Sequence, residues 1–310
     1  EHVYPHLQTP EQIPVLVDLL WGLAGISARE LPVDEELFRL AQAPIRDALT
    51  VLPLKSLSKL AHAYNWAGVE SFGLMEAVAQ TIYQKCRNPA AGEPIDYPAF
   101  AQAMKSLAAR QCWYEALGGL ATQLVQKRQP GLLPRHIITI AKSLAMMKYD
   151  TAPEPFWTSA RGAVLGSVQV LTPQQLQDVA WTWTVRKQFK DVELFNAISI
   201  RSLEVLKDFT PINLAIMVWA FAKQGRTQDV TLYKAASLHM LAHLNLYTTQ
   251  NISNAVWGFA GVGFKDLPLL TEAANLITQR LQDEEGRASL TVDSSAHEER
   301  WLLLKGNCSV

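Results

Sequence analysis

Apolar positions along the chain recur at intervals of three and four, and this pattern itself repeats with a period of about 38 residues. The clearest marks are Trp181, Trp219 and Trp257, one in each of three successive copies at equal intervals. A second aromatic follows each tryptophan two positions later, at Trp183, Phe221 and Phe259. Because apolar residues three and four apart lie on one face of an α-helix, the pattern predicts a series of repeated helices.

Each repeat contains two helical patterns. In the best-marked copy, one helix is predicted from Pro173 to Arg186 and a second from Val192 to Leu206. A threonine suited to N-capping precedes the first helix, and Pro173 and Pro211 occupy helix-opening positions. Strand-like alternation with hairpin turns is not seen. Since two helices cannot bury their apolar faces alone, the pattern predicts an all-α fold, an α-solenoid of stacked helix pairs.

Earlier copies are weaker and place other residues at the Trp181 position, namely Trp21, His62, Lys105 and Lys142. The two widest gaps between copies fall across ARELPVDEE and RNPAAGEPID, which are typical of lengthened loops. We therefore predict about seven two-helix repeats of about 38 residues within positions 1–283. An irregular C-terminal tail is predicted over residues 284–310.

The six repeated aromatics admit two explanations. Residues two apart on a helix point about 200° from one another, so the first helix of each repeat is apolar on two sides. A helix sandwiched between neighbours has this character, and we expect all six aromatics to pack in the core. Platforms for stacking nucleic-acid bases are the alternative, which the sequence does not favour.

The cores of the last three copies are VAWTWTVRKQ (179–188), VWAFAKQGR (218–226) and VWGFAGVGF (256–264). A two-helix repeat of this length and with this core resembles the octotricopeptide repeat family, and heptatricopeptide and FAST-kinase-like repeats look similar. The resemblance implies an α-solenoid that binds RNA in mitochondria or chloroplasts. Such proteins act in RNA stability, processing or translation, and some belong to organellar ribosomes. The tail lacks the pattern of the RAP domain that ends many members, so a nuclease activity of that type is not implied.

The formal net charge of −1 conceals an uneven distribution. Residues 85–148 hold nine Lys and Arg against three acids, a balance of +6, whereas residues 1–49 hold three Arg against eight acids, a balance of −5. A basic middle is where an RNA backbone is expected. The acidic N-terminal part is expected to face solvent or a basic protein.

Cations recur near the end of the first helix of each repeat, and Arg110, Lys148 and Arg186 stand at the same spacing as the tryptophans. One cation per repeat suits a phosphate backbone. The predicted basic row consists of Lys105, Arg110, Arg135, Lys142, Lys148, Arg186, Lys187, Lys223 and Arg226. A compatible and simpler explanation is that cations at helix C-termini complement the helix dipole.

A polar row lies nearer the start of the same helices. Gln175, Asn213 and Asn251 recur with the repeat period, and His136 and Asn254 complete the predicted set. Amides and hydroxyls on an exposed face suit the base edges of single-stranded RNA. The alternative is that these residues serve the first turn of each helix or are merely solvated.

The chain shows no phosphate-binding loop, dinucleotide fingerprint or nucleophile elbow. His239 and His243 have a spacing that can hold a metal, but no third ligand is evident. We therefore predict no catalytic residue, no metal ligand and no cofactor, and expect a protein that is not an enzyme. Three widely spaced cysteines indicate neither a disulfide framework nor a zinc site. No membrane span is expected.

The leading hypothesis is a structural component of a mitochondrial ribosome that binds and stabilises rRNA segments and contacts neighbouring proteins. One alternative is a gene-specific factor for organellar mRNA stability, processing or translation. Another is a protein-binding solenoid that touches no RNA, because this architecture alone does not decide function. The mitochondrion is the expected location, with the chloroplast as the alternative.

Overall fold

The computed structural model describes residues 11–27, 33–89, 94–112, 114–149, 152–186 and 190–290. These residues form fourteen α-helices and three 3₁₀ turns and contain no β-strand, so the predicted all-α fold is confirmed. The helices, in chain order, are α1 (Ile13–Ser27), α2 (Glu35–Ala48), α3 (Leu54–Ala67), α4 (Phe72–Arg87), α5 (Tyr97–Ala109), α6 (Glu115–Gln126), α7 (Pro134–Met146), α8 (Glu154–Leu165), α9 (Pro173–Val185), α10 (Val192–Glu204), α11 (Pro211–Lys223), α12 (Val230–Ala242), α13 (Thr249–Gly261) and α14 (Leu267–Leu290).

The chain divides into two compact units, and the first extends from Glu1 to Phe209. Its odd-numbered helices pack successively, α1 on α3, α3 on α5, α5 on α7 and α7 on α9. Its even-numbered helices form a second layer in the same order, from α2 to α10. This alternation is the packing of an α-solenoid, with which the fold is compatible.

The second unit extends from Thr210 to Val310 and follows the same rule. Helix α11 packs on α13, and α12 packs on α14. Helix α14 runs past Asp283 to Leu290, so the predicted irregular tail begins as helix. Residues 291–310 lie outside the described residues.

The three best-marked repeats begin in the same way. A 3₁₀ turn leads to an extended threonine, Thr172, Thr210 or Thr248, whose side chain accepts a hydrogen bond from a backbone N–H of the first helical turn. Such a cap satisfies one of the N–H groups that have no partner inside the helix. The repeat period is therefore also the spacing of helix starts.

Several odd-numbered helices also end in the same way. A residue with left-handed backbone follows the last turn, and the N–H groups there bond back to carbonyls of the helix. Gly225 (φ 68°) follows α11, whereas Lys148 (φ 52°) follows α7 and Gln111 (φ 54°) follows α5. Two repeats thus have a residue with a side chain at a left-handed backbone position that favours glycine.

The six repeated aromatics divide into two groups. Trp183, Phe221 and Phe259 are buried, as predicted. Trp181 and Trp219 are only half-buried and Trp257 is exposed, so the expectation of core packing is wrong for Trp257 and incomplete for the other two. Both positions carry large aromatics, but only the second faces the interior.

Helices α11 and α13 approach closely at Gly258. A Cβ atom added there would lie 2.9 Å from Val218 Cγ1 and 3.1 Å from the Val218 carbonyl oxygen. The glycine is therefore required by the backbone of the neighbouring helix. By contrast, a Cβ added at Gly261, one turn further on, would meet only Ala222 Cβ at 3.9 Å.

We predict that Gly258→Ala destabilises the protein by about 1–3 kcal/mol, because overpacking forces the two helices apart. Urea denaturation monitored by circular dichroism measures the change in the free energy of unfolding. Gly261→Ala is the matched control on the same helix and should shift the midpoint little. Equal effects of the two substitutions would contradict the close approach at Gly258.

Candidate nucleic-acid interface

Each inner odd-numbered helix leaves one narrow stripe open to solvent. On α5, every residue is buried except Pro98, Gln102, Lys105 and Ala109, which follow one another at intervals of four, three and four. These intervals trace one line along a helix surface. The Lys105 position, which corresponds to Trp181, thus lies in the middle of the exposed line.

The same line on the other odd-numbered helices carries aromatic and basic side chains. We call it the aromatic–basic stripe. In the first unit it comprises Asp18, Trp21, Lys59, His62, Trp66, Gln102, Lys105, Thr139, Lys142, Asp178 and Trp181. In the second unit it comprises Ile216, Trp219, Lys223, Asn254 and Trp257.

Three tryptophans of the stripe are notably exposed: Trp21 at 41%, Trp66 at 46% and Trp257 at 47%. A large aromatic ring so far open to water is poorly explained by burial alone. Its free face can stack on another flat group.

At the N-terminal end of the stripe, Lys59 joins helices α1 and α3. Its Nζ lies 2.7 Å from Asp18 Oδ1 and 5.2 Å from the ring centre of Trp21. An ammonium over a ring is worth about 0.5–1 kcal/mol at an exposed site. Lys59 therefore holds the Trp21 ring in place while its own charge is balanced by Asp18.

His62 links α3 to α5 within the stripe. Its ring lies 4.0 Å from that of Trp66, and its Nδ1 lies 3.0 Å from Gln102 Nε2. Burial lowers the pKa of His62, and the nearby charge of Lys105 lowers it further. The imidazole is therefore neutral at pH 7 and adds a second flat, uncharged surface beside Trp66.

Further along the first unit, Lys142 joins α7 to α9. Its Nζ forms an ion pair with Asp178 and lies 5.8 Å from the ring centre of Trp181. Gln174 Nε2 also donates to Asp178 Oδ1, at 2.9 Å. The arrangement repeats that of Lys59, Asp18 and Trp21, with a lysine fixed between a carboxylate and a tryptophan.

In the second unit, Lys223 lies between two tryptophans. Its Nζ is 5.9 Å from the ring centre of Trp219 on its own helix and 4.6 Å from that of Trp257 on α13. The lysine is exposed, and Trp257 keeps nearly half of its surface open. This corner presents a cation and an aromatic face side by side.

The predicted basic row is only partly available to a ligand. Lys105, Arg135, Lys148 and Lys223 are exposed, although Arg135 Nε donates to His136 Nε2 and Lys223 lies over two tryptophan rings. The others have partners within the protein: Arg110 donates to the Val69 carbonyl, Lys142 pairs with Asp178, Arg186 pairs with Glu154 and stacks over Trp157, and buried Arg226 pairs with Asp229. Lys187 lies outside the described residues.

Equal sequence spacing does not give equal positions in this row. Lys148 has left-handed backbone, whereas Arg110 and Arg186 immediately follow the last helical residue with ordinary negative φ. Relative to the Trp181 position, Lys148 is displaced by one residue. Lys148 therefore occupies a different position at its helix end from Arg110 and Arg186.

Four of the five members of the predicted polar row lie at helix starts, whereas Asn254 lies on the aromatic–basic stripe. His136, Asn213 and Asn251 are buried, and Gln175 and Asn254 are half-buried. The backbone N–H groups of Gln175, Asn213 and Asn251 donate to the capping threonines, while His136 Nδ1 accepts from the backbone N–H of Leu133. The expectation that this row lies on an exposed face is therefore wrong for its buried members.

The helical spacing of apolar residues alone does not indicate that the tryptophans of the stripe are exposed. Three of them have a signal in the sequence, because a polar residue lies three positions before Trp21, Trp181 and Trp257. A polar residue one helical turn away indicates that the same face meets solvent.

The described residues give little evidence of a reactive thiol, a metal site or a membrane-spanning helix. Burial raises the pKa of Cys86 to about 12 and that of Cys112 to about 11, so both thiols stay protonated. No group of three potential metal ligands occurs in the described part of the chain. Within that part, every helix is too short or too polar to cross a membrane.

We predict that His62 titrates below pH 6.5 and that Lys105→Met raises its pKa without fully restoring 6.5, because burial is the larger cause. Since the unfolded chain then binds the proton more readily, the contribution of His62 to stability is lost as the pH falls below 6.5. NMR titration of the imidazole ring measures the pKa. Lys55→Met, on the same helix as His62, is the control and should leave the His62 pKa unchanged.

No known protein-family model matches this chain, and no curated protein is similar enough to count as a relative.

Proposed function

We propose that the protein is an α-solenoid of about seven repeats that binds single-stranded RNA through its aromatic–basic stripe. We further propose that it acts as a structural component of a mitochondrial ribosome. The stripe carries the RNA proposal, and the resemblance of the repeat cores to octotricopeptide repeats supports the organellar setting. The fold, in which successive helices stack in two layers within each unit, is compatible with this assignment.

The observation that supports RNA most directly is the pairing of exposed aromatics with lysines. Proteins that hold single strands combine aromatic side chains for stacking with cations along the backbone. At the corner formed by Lys223 and Trp257, a base stacked on the open face of the indole brings its phosphate towards an ammonium. The same combination recurs at Trp21 with Lys59 and at Trp181 with Lys142.

Single strands fit this surface better than duplexes. Aromatic platforms need unstacked bases, which a duplex does not offer without being opened. Duplex binding depends instead on exposed cations arrayed for two phosphate backbones. Here Lys59 and Lys142 are already paired with carboxylates, so the electrostatic part of the surface is modest.

An RNA-free protein scaffold is the second candidate. It is favoured by the internal pairing of Arg110, Lys142, Arg186 and Arg226, which removes four cations of the basic row from direct use. Half-exposed tryptophans are also common where proteins meet. RNA-binding measurements on the purified chain separate the two candidates.

We predict that Trp257→Ala weakens the binding of a short unstructured RNA by about 5- to 150-fold, the range for loss of one stacked base. Fluorescence anisotropy with a labelled single strand measures the affinity, and the same RNA annealed to its complement should bind more weakly. Leu238→Ala, which removes an exposed apolar side chain from α12, is the control. Absence of RNA binding by the unsubstituted chain would favour the scaffold.

A second measurement tests the electrostatic part of the interface. The substitution Lys105→Ala should reduce the salt dependence of binding by about 0.7 in log–log slope, the value for one phosphate contact on a single strand. Lys234→Ala, at an exposed lysine of α12 outside the stripe, provides the comparison and should leave the slope unchanged.

For the ribosomal assignment, we predict that the native protein sediments with a mitochondrial ribosomal subunit and remains there at high salt. A component held by many rRNA and protein contacts resists salt, whereas a factor held by a few phosphate contacts is released. Sucrose-gradient fractions of organelle lysate, probed for the protein, give the result. Release at high salt with retained RNA affinity would favour the gene-specific factor.

A further inference from the structure

The middle of the aromatic–basic stripe in the first unit differs from its two ends. Trp21 and Trp181 occupy the repeated position at the ends, whereas α3, α5 and α7 carry His62, Lys105 and Lys142 there. An indole offers mainly a flat apolar face, and imidazole and ammonium groups form hydrogen bonds as well. The middle of the stripe can therefore contact the polar edge of a base in addition to its face.

Trp66 provides the aromatic face in this part of the stripe. It lies one turn after His62 on α3, the two ring centres are 4.0 Å apart, and the residue is 46% exposed. A Cβ added at Gly25 would lie 3.4 Å from Trp66 Cζ3, so the indole also lies against α1. These two contacts hold the ring in place, and its exposed surface can stack on a base.

The hydrogen bonds of His62 fix the position of its proton. Gln102 Nε2 lies 3.0 Å from His62 Nδ1, and Ser106 Oγ lies 3.4 Å from the same atom. Because an amide nitrogen only donates, Nδ1 is an acceptor and the proton of the neutral ring is on Nε2. The half-buried ring leaves Nε2 accessible, and no residue in the described part of the chain bonds to it. His62 therefore presents an N–H donor at the surface.

Lys105 supplies a second donor at the same place. It lies on α5 between Gln102 and Ser106, the two residues that contact His62, and its charge is near enough to lower the pKa of the imidazole. The side chain is exposed and forms no ion pair with any described residue. By contrast, two other lysines of the stripe in this unit pair with carboxylates. The ammonium of Lys105 is therefore available beside the imidazole N–H.

Two neighbouring donors beside an aromatic face match two neighbouring acceptors on the edge of a base. Guanine presents N7 and O6 in this way, and lysine commonly contacts this edge. Adenine has an amino group beside N7, and uracil has a single carbonyl oxygen beside a C–H group, so each leaves one donor without a partner. Cytosine has neighbouring acceptors on its pairing edge, but its single ring covers less of an indole than a purine does.

We propose that Trp66, His62 and Lys105 form a subsite that selects guanine in single-stranded RNA. The base stacks on the indole, and the imidazole N–H and the ammonium donate to N7 and O6. The three N–H groups of Lys105 allow this contact in addition to a phosphate contact. The inference rests on the proposed function, because it assigns a base preference to the same RNA-binding stripe.

Fluorescence anisotropy with short labelled strands measures the preference. The strands are oligouridine and oligouridine with one central G, A or C. We expect the G strand to bind about 5- to 150-fold more tightly than the A strand, the range for one well-formed pair of hydrogen bonds to a base. Replacing the guanine by 7-deazaguanine, which has a C–H group in place of N7, should remove most of this preference.

Two variants test the donors. His62→Phe keeps a ring against Trp66 and removes the N–H, whereas Lys105→Met removes the ammonium and keeps most of the aliphatic chain. Each should lower the ratio of G-strand to A-strand affinity at least threefold, and Lys105→Arg should keep the ratio because a guanidinium also pairs with N7 and O6. Lys127→Met, at an exposed lysine that follows α6, is the control and should leave the ratio unchanged. Melting curves monitored by circular dichroism verify that each variant is folded.

The results distinguish failure of the subsite from failure of RNA binding. A preference for G that disappears with 7-deazaguanine and falls in His62→Phe and Lys105→Met supports the proposal. Equal affinity for all strands, a preference for A or C, or a preference for G that neither variant changes overturns the guanine subsite and leaves the proposed RNA binding in place. Failure of every strand to bind overturns both.

Discussion

Helix-on-helix packing within the odd-numbered layer is the constraint from which the other features follow. A helix such as α5 is covered by a neighbour on each side and by the even-numbered layer behind it. Its buried small side chains allow the neighbouring helices to approach closely, and they include Ala99, Ala103 and Ser106. Burial of apolar surface on three sides stabilises a layer in which each helix alone would be marginal.

This packing restricts where a ligand can bind. With three sides covered, an inner odd-numbered helix offers one line of side chains to solvent, and successive helices place their lines next to one another within a unit. Lys59, Lys142 and Lys223 each reach from one helix to the tryptophan of another, so the contacts that hold neighbouring helices in register also orient the exposed rings. Structure and the proposed recognition surface are thus built from the same side chains.

The fold was largely predictable from the sequence, because a regular repeat period with capping threonines and helical apolar spacing leaves few alternatives to paired helices. The site was not. Trp181 and Trp183 are both aromatic, and apart from the polar Asp178 one turn before Trp181, only the packed neighbours decide which of the two faces outward. Likewise, the spacing of Gln175, Asn213 and Asn251 reflects the helix starts, a local demand of the backbone that sequence periodicity does not distinguish from a row of ligand contacts. The partners of Arg110 and Arg186 come from other helices, beyond what a one-dimensional pattern contains.

The helix ends determine how residue positions in different repeats can be compared. The left-handed residue after α7 is a lysine, whereas the one after α11 is a glycine. The end of α7 therefore carries a side chain at this position and the end of α11 does not. A code indexed by counting residues along each repeat assigns Lys148 and Arg186 the same role, although the backbone directs them differently. Positions should instead be counted outward from the central residue of each odd-numbered helix, where the packing of neighbours keeps the geometry constant and insertions at the ends have no effect.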